Sequence, residues 1–423
     1  MLHKIFKTAT FRQSLVTISA TVINGILGFL FYIILARNLG PEVFGLFTVS
    51  IAVLTLTVDL VDLGINTGLV KFVAGNINEN RQKALKFLKL SLEIKLIIWI
   101  IILVIGFFVA PTVAVNIFNK KELVLPLQLV MLGVGSAMLF NFATSSLQAF
   151  QKFKSWSLIN ILSNSLRLLI VFLLIFSLNI NLFNSLLVYI LMPLFGFLVT
   201  LFLIPTRQFI KQKNEFKLFP KLFGFNIWVV GFTAISAIST RLDLFITTRY
   251  LSDYEVGLYG FSTQIVSVVP QIIGAISIVT APKFSSFNNL TTMISYLKKL
   301  LYLILGLVGV GLLAIPLIPL IISLLVGVEY SQAFPVITIL LVSMLIFLFA
   351  SAINNSIIYY FGKPQVFLPI SLGHLLIVGI LGYFMITSFG IMGAALTVLA
   401  GSIFNFIIPL TWVIFQIKKG EGR

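Results

Sequence analysis

The chain reads itself twice. Residues 37–47 align without gaps on residues 249–259, which sets Arg37 on Arg249 and Gly45 on Gly257 at an offset of 212. Lys71-Phe72 falls on Lys283-Phe284 at the same offset, and Phe150-Gln151-Lys152 on Phe361-Gly362-Lys363 at 211. After a small deletion, residues 167–171 meet 374–378 at 207, which pairs Arg167 with His374. Apolar stretches match cheaply, so the Arg, Gly and Lys anchors carry the weight. A full-length duplication of apolar segments implies two like halves, with any transport path at their interface.

Apolar residues make up 59% of the chain and charged residues 10%, and mean hydropathy is +1.12. A water-soluble globule cannot hide this much hydrocarbon. Runs long enough to cross a bilayer as helix lie near 15–36, 43–70, 90–110, 124–149, 157–177 and 182–205. Six more lie near 223–248, 256–281, 300–326, 334–360, 366–387 and 390–416. The runs are continuous and lack the alternation of a membrane barrel. The expected fold is an all-α membrane protein of twelve transmembrane helices in two six-helix bundles, 1–205 and 223–423, joined by a linker at 206–222. Six is even, so both halves enter the membrane in the same sense and the repeats are parallel.

The formal charge of +17 invites a nucleic-acid reading, and the placement of the charges rejects it. The N-terminal residues, the loops after the even-numbered spans and the C-terminal tail hold 22 Lys and Arg residues. The opposite loops hold four: Arg37, Lys120, Lys121 and Arg249. This asymmetry predicts a multi-pass protein with both termini in the cytoplasm, and no nucleic-acid partner. The first apolar run is too long for a signal peptide and has a counterpart in the second half, so it is kept as a span. The chain has no cysteine, which excludes disulfides and Cys-ligated metals.

In the linker, Phe209, Ile210, Phe216, Leu218, Phe219 and Leu222 interleave with Arg207, Lys211, Lys213, Lys217, Lys221 and Glu215. Two readings stand side by side: an amphipathic segment on an anionic membrane surface, or a solvated connection. Enzyme chemistry finds no footing. His3 and His374 are the only histidines, neither has a ligand cluster at metal spacing, and no P-loop is present. No cofactor is expected.

Residues 36–45 (Ala-Arg-Asn-Leu-Gly-Pro-Glu-Val-Phe-Gly), Asp62-Leu63-Gly64 and residues 69–74 (Leu-Val-Lys-Phe-Val-Ala) resemble polysaccharide flippases of the Wzx type. These belong to a superfamily with the MATE multidrug exporters and the lipid II flippase MurJ. The resemblance implies a MATE-like pair of bundles with alternating access to a central cavity. It further implies a substrate of oligosaccharide on polyprenyl diphosphate, carried across the plasma membrane of a bacterium or archaeon. Membrane lipids and the glycan polymerase or glycosyltransferases of the same pathway would be its partners. A drug exporter of the same fold is the alternative, and a membrane-embedded glycan enzyme a more distant one.

A diphosphate crossing hydrocarbon asks for cations facing a wet cavity. A mid-span Arg costs about 2.5–3.5 kcal/mol on insertion scales, so it needs a cavity or a partner. Arg167 and Arg241 are the mid-span arginines, and both are candidate substrate contacts. Arg37 and Arg249 end the first and seventh spans, where substrate binding competes with helix capping. Lys71 and Lys283 end the second and eighth spans, where substrate attraction competes with the positive-inside bias. Asp59 and Asp62, spaced i, i+3 on one helical face, are candidates for ion coupling; a salt bridge to Lys71, Arg81 or a neighbouring helix is the other reading. Glu93 and Lys95 are expected to snorkel to water. Gly64, Gly68, Pro193, Pro270, Pro316, Pro319 and Pro409 mark possible bends.

Overall fold

The structure, a computed structural model, describes residues 9–213, 215–223 and 227–419. Helix is the only regular secondary structure among them. Lipid supplies no hydrogen-bond partners, so an apolar segment must satisfy its backbone groups within itself. Among the described residues the expected apolar segments lie almost wholly on helix, the second being broken at Leu63 and Gly64. Nine helical stretches among the described residues are long and apolar enough to cross a membrane. Two of these, Val16–Asp62 and Pro364–Lys419, each cover two expected segments.

Residue contacts gather the chain into two units: Met1–Leu39 with Leu46–Val230, and Gly40–Gly45 with Gly231–Arg423. The helices are α1 (Ala9–Asp62), α2 (Ile65–Asn76), α3 (Arg81–Thr112), α4 (Val124–Ala149), α5 (Phe153–Phe176) and α6 (Leu182–Leu203), followed by the short linker helices α7 (Thr206–Ile210) and α8 (Phe219–Phe223). Then come α9 (Ile227–Tyr250), α10 (Asp253–Val266), α11 (Val268–Ser285), α12 (Leu290–Leu313), α13 (Ile318–Leu325), α14 (Phe334–Asn355), α15 (Phe367–Leu376) and α16 (Gly382–Lys419).

Glycine makes the sharpest breaks. Gly40 (φ 73°) interrupts α1 and Gly390 (φ 58°) interrupts α16, in the left-handed region that a Cβ disfavours. Leu63 (φ 47°) and Gly64 (φ 76°) separate α1 from α2. Proline does less than expected: α6 runs through Pro193 and α16 through Pro409. Pro270 does sit beside the α10–α11 break, Pro316 in the short 3-10 turn before α13 and Pro319 in the first turn of α13.

The linker is not a freely solvated connection, because one of its faces is docked on the first unit. Phe209, Leu218 and Leu222 are buried in the core of the first unit with Phe87, Phe142 and Leu69. Each such side chain removed from water contributes about 1.5–3 kcal/mol. Three α3 side chains hold the linker's polar edge. Arg81 donates to Gln208 Oε1 at 3.0 Å, Lys86 reaches Glu215 at 2.8 Å, and Lys89 donates to the Gln212 carbonyl at 2.7 Å. At Gly68 a Cβ would stand 2.9 Å from the Leu222 carbonyl oxygen, so the residue's smallness admits the strap.

Lys95 departs from its expectation too. Its side chain is fully buried and meets Asp62 at 2.8 Å, fourteen residues from the start of α3, where the carboxylate at the end of α1 takes the place of water. In the second unit, the core gathers around Phe284, Met293, Ile304, Leu348 and Tyr360. A capping box starts α10: the Ser252 hydroxyl accepts from the Glu255 N–H at 3.3 Å, and the Glu255 carboxylate accepts from the Ser252 N–H at 3.0 Å.

Candidate functional site

In the first unit the α1–α5 seam carries the polar chemistry. Arg167 stands fourteen residues into α5, about 21 Å along it at 1.5 Å per residue. Its guanidinium lies 4.5 Å from the ring centre of Tyr189 and 5.3 Å from that of Phe31. Phe47 packs on both rings, and the Tyr32 hydroxyl reaches that of Tyr189 at 3.5 Å. Ring faces attract a cation without neutralising it. The Arg167 Nε is buried without a hydrogen-bond partner, and no carboxylate forms an ion pair with Arg167 among the described residues. One turn earlier, Asn164 donates to Asn24 at 3.0 Å. The result is a half-buried cation in an aromatic frame with amides beside it, suited to a phosphate with polar substituents.

The second unit repeats the seam with different chemistry. Ser236 meets Ser371 at 3.1 Å, and these are the counterparts of Asn24 and Asn164 at offsets of 212 and 207. One turn on, the Ser239 hydroxyl is hydrogen-bonded to His374 Nδ1, with His374 in the place of Arg167. The Phe31–Phe47 ring pair, 6.2 Å between centres, corresponds to Asp243 and Tyr259, where the tyrosine hydroxyl donates to a buried carboxylate. Arg241 is half-buried on α9 and donates to the Ala237 carbonyl at 2.9 Å.

The remaining candidates stand apart from these seams. All four of the other basic candidates are exposed: Arg249 and Lys283 near the ends of α9 and α11, Arg37 just before the Gly40 break in α1, and Lys71 midway along α2, where its ammonium lies 5.6 Å from its neighbour Phe72's ring centre. Asp59 is exposed. Asp62 bridges Lys95 and accepts from Asn66 at 2.6 Å, so its partner comes from a neighbouring helix, α3, rather than being Lys71 or Arg81. No cluster of three His, Asp or Glu residues able to hold a metal occurs among the described residues. Sequence reasoning missed Phe31, Tyr32 and Tyr189 because aromatic residues are common in apolar runs. It missed the Asn24–Asn164 and Ser236–Ser371 contacts, because the repeat offsets relate Asn24 to Ser236 and Asn164 to Ser371 but say nothing of which segments pack together.

Comparison with known proteins agrees with this architecture. An uncharacterised membrane protein of Methanocaldococcus jannaschii, MJ1375, is 27% identical over 414 residues, covering 93% of this chain and 95% of its own length. An inward-facing MATE-family multidrug resistance transporter superposes with a TM-score of 0.79 at 14% identity, covering 96% of this chain and 98% of its own. The lipid II flippase MurJ, in an inward closed conformation, gives 0.74 at 18% identity, covering 94% and 87%. The fold is therefore the MATE- and MurJ-like one, in a multi-pass membrane protein. Residues 11–288 match the model of the family described as polysaccharide biosynthesis protein, and the chain belongs to that family.

Proposed function

We propose that this protein is a flippase that moves polyprenyl-diphosphate-linked oligosaccharide across the plasma membrane by alternating access, with no catalytic step of its own. The observation that carries the reading is Arg167, a mid-span guanidinium framed by Phe31 and Tyr189 and without a carboxylate partner among the described residues. A charge kept at that cost in a membrane helix has a functional use by default, and the diphosphate supplies the missing anion. Rings and amides beside it suit the sugar that follows the phosphates. Arg241 supplies a second cation in the other unit, while the exposed Arg37, Arg249, Lys71 and Lys283 serve approach. The drug exporter of amphipathic cations is disfavoured by the same guanidinium, which repels such a cargo.

Further parts of the reading are the halves 1–205 and 223–423, the cytoplasmic 206–222 linker and termini, coupling to an ion gradient through Asp59 and Asp62, and a partnership with the pathway's polymerase or glycosyltransferases. Deleting the gene tests the function directly. Lipid-linked oligosaccharide should accumulate on the cytoplasmic face of the membrane, and restoring the chain should clear it. Unchanged lipid intermediates after deletion would remove the proposal. Reporter fusions near Lys120 should read external, and fusions within 206–222 cytoplasmic.

A further inference from the structure

The docked linker leaves a face that its burial does not explain. While Phe209, Leu218 and Leu222 turn into the core of the first unit, Ile210, Phe216 and Phe219 are 55%, 65% and 43% exposed. Exposed among them are Arg207, Lys211, Lys213 and Lys217. The linker's single carboxylate, Glu215, is already held by Lys86 at 2.8 Å. Beside this face, between α7 and the start of α3, an open cleft of about 390 Å³ is lined by Arg81, Arg207, Lys211, Gln82, Gln208 and Gln212, with Leu85 among its walls. A second cleft, of about 510 Å³, shares Arg81 and adds Lys152.

We propose that this cleft binds the phosphate headgroup of an anionic phospholipid of the cytoplasmic leaflet, with Ile210, Phe216 and Phe219 set into the lipid beside it. The proposal rests on the cytoplasmic placement of the linker stated under Proposed function. Three cations and three amide side chains around one open cleft match a phosphate with polar substituents. Each cation near an anionic membrane surface adds attraction, and exposed aromatic and aliphatic side chains among lysines fit the boundary between headgroups and acyl chains. A free phosphate shares the chemistry of the cleft, but it gives the three apolar side chains nothing to enter. The same contact would hold the strap, and the α3 start it is bound to, at the membrane surface.

The test uses the full chain in detergent, titrated with short-chain phosphatidylglycerol, with short-chain phosphatidylcholine, or with inorganic phosphate, and reads binding by native mass spectrometry and thermal midpoint. Phosphatidylglycerol should bind and raise the midpoint, while the other two should do neither. Arg207→Gln with Lys211→Gln should weaken phosphatidylglycerol binding about tenfold or more and leave the lipid-free midpoint unchanged, since both side chains are exposed. Lys298→Gln with Lys299→Gln, two exposed lysines on α12, should bind like the unaltered chain. Equal binding by the Arg207/Lys211 variant, equal response to phosphatidylcholine, or an equal response to inorganic phosphate would each overturn the proposal. No glycan substrate enters this measurement, so its failure leaves the flippase reading standing. An external linker in the fusion assay would instead remove the leaflet assignment.

Discussion

Gly45 and Gly257, equivalent positions of the two repeats, lie against each other within the second unit. A Cβ on Gly45 would stand 2.6 Å from the Asp253 carbonyl oxygen and 2.8 Å from the Gly257 nitrogen; a Cβ on Gly257 would collide with the Pro41 carbonyl. Asp253 is itself the repeat counterpart of Pro41, so the contact is reciprocal in the manner of a local twofold. Both partners are backbone and cannot swing aside.

Gly257→Ala should therefore destabilise the protein by about 1–3 kcal/mol, the usual cost of overpacking a tight contact. Gly45→Ala should do the same, whereas Gly274→Ala, where a Cβ meets nothing within 4 Å, should be tolerated. Thermal midpoints of the three purified variants check this. A Gly257→Ala protein as stable as its parent would mean that the helices separate freely at this point.

Arg167 should matter for charge and for its frame. Arg167→Lys should keep part of the transport activity, and Arg167→Ala and Arg241→Ala should lose most of it at normal expression. Tyr189→Leu removes one ring face, worth about 0.5–2 kcal/mol to a cation, and should weaken substrate binding without abolishing it. Cysteines at 167 and 241, in this cysteine-free chain, should react with a small water-soluble thiol reagent and be protected by substrate. Normal flipping by both alanine variants would make the arginines ties between helices.

Asp59 and Asp62 should separate in their effects. Asp62→Asn strips the buried Lys95 of its carboxylate and should cost about 3–5 kcal/mol. Combining it with Lys95→Met should restore much of that stability. Exposed Asp59→Asn should be near neutral for folding, so an altered dependence of transport on the proton or sodium gradient in that variant reads coupling alone. Unchanged gradient dependence would remove Asp59 from the mechanism.

The linker clasp should respond to acid. The hydrogen bond from Lys86, followed by its charge, holds the Glu215 carboxyl below the usual carboxylate range. A lowered folded-state pKa means that the stabilisation is complete above the unfolded value near 4.3 and is lost as pH falls through the lower folded value. Protease cleavage within 206–222 should quicken below about pH 4, and Glu215→Gln should remove the pH-dependent part. An identical pH profile in that variant would show that Glu215 does not latch the strap.

The sequence by itself determined the solvent, the helical class, the near-positions of twelve apolar segments and the duplication. Each depends on local composition and period: a run of apolar residues must be helix in lipid wherever it later packs. It also marked Arg167, because a mid-span cation is costly in any arrangement. Tertiary structure decided partners. Lys95 found Asp62 rather than water, the linker buried one face rather than lying free, and Tyr189 and Phe31 framed Arg167 from α6 and α1. Such pairings depend on helix rotation and depth, which a uniformly apolar segment leaves open, since lipid accepts any of its faces equally. Only the fold shows that the repeat placed Asn24 with Asn164 as it placed Ser236 with Ser371, and that Asp243 and Tyr259 took over the ring pair of Phe31 and Phe47.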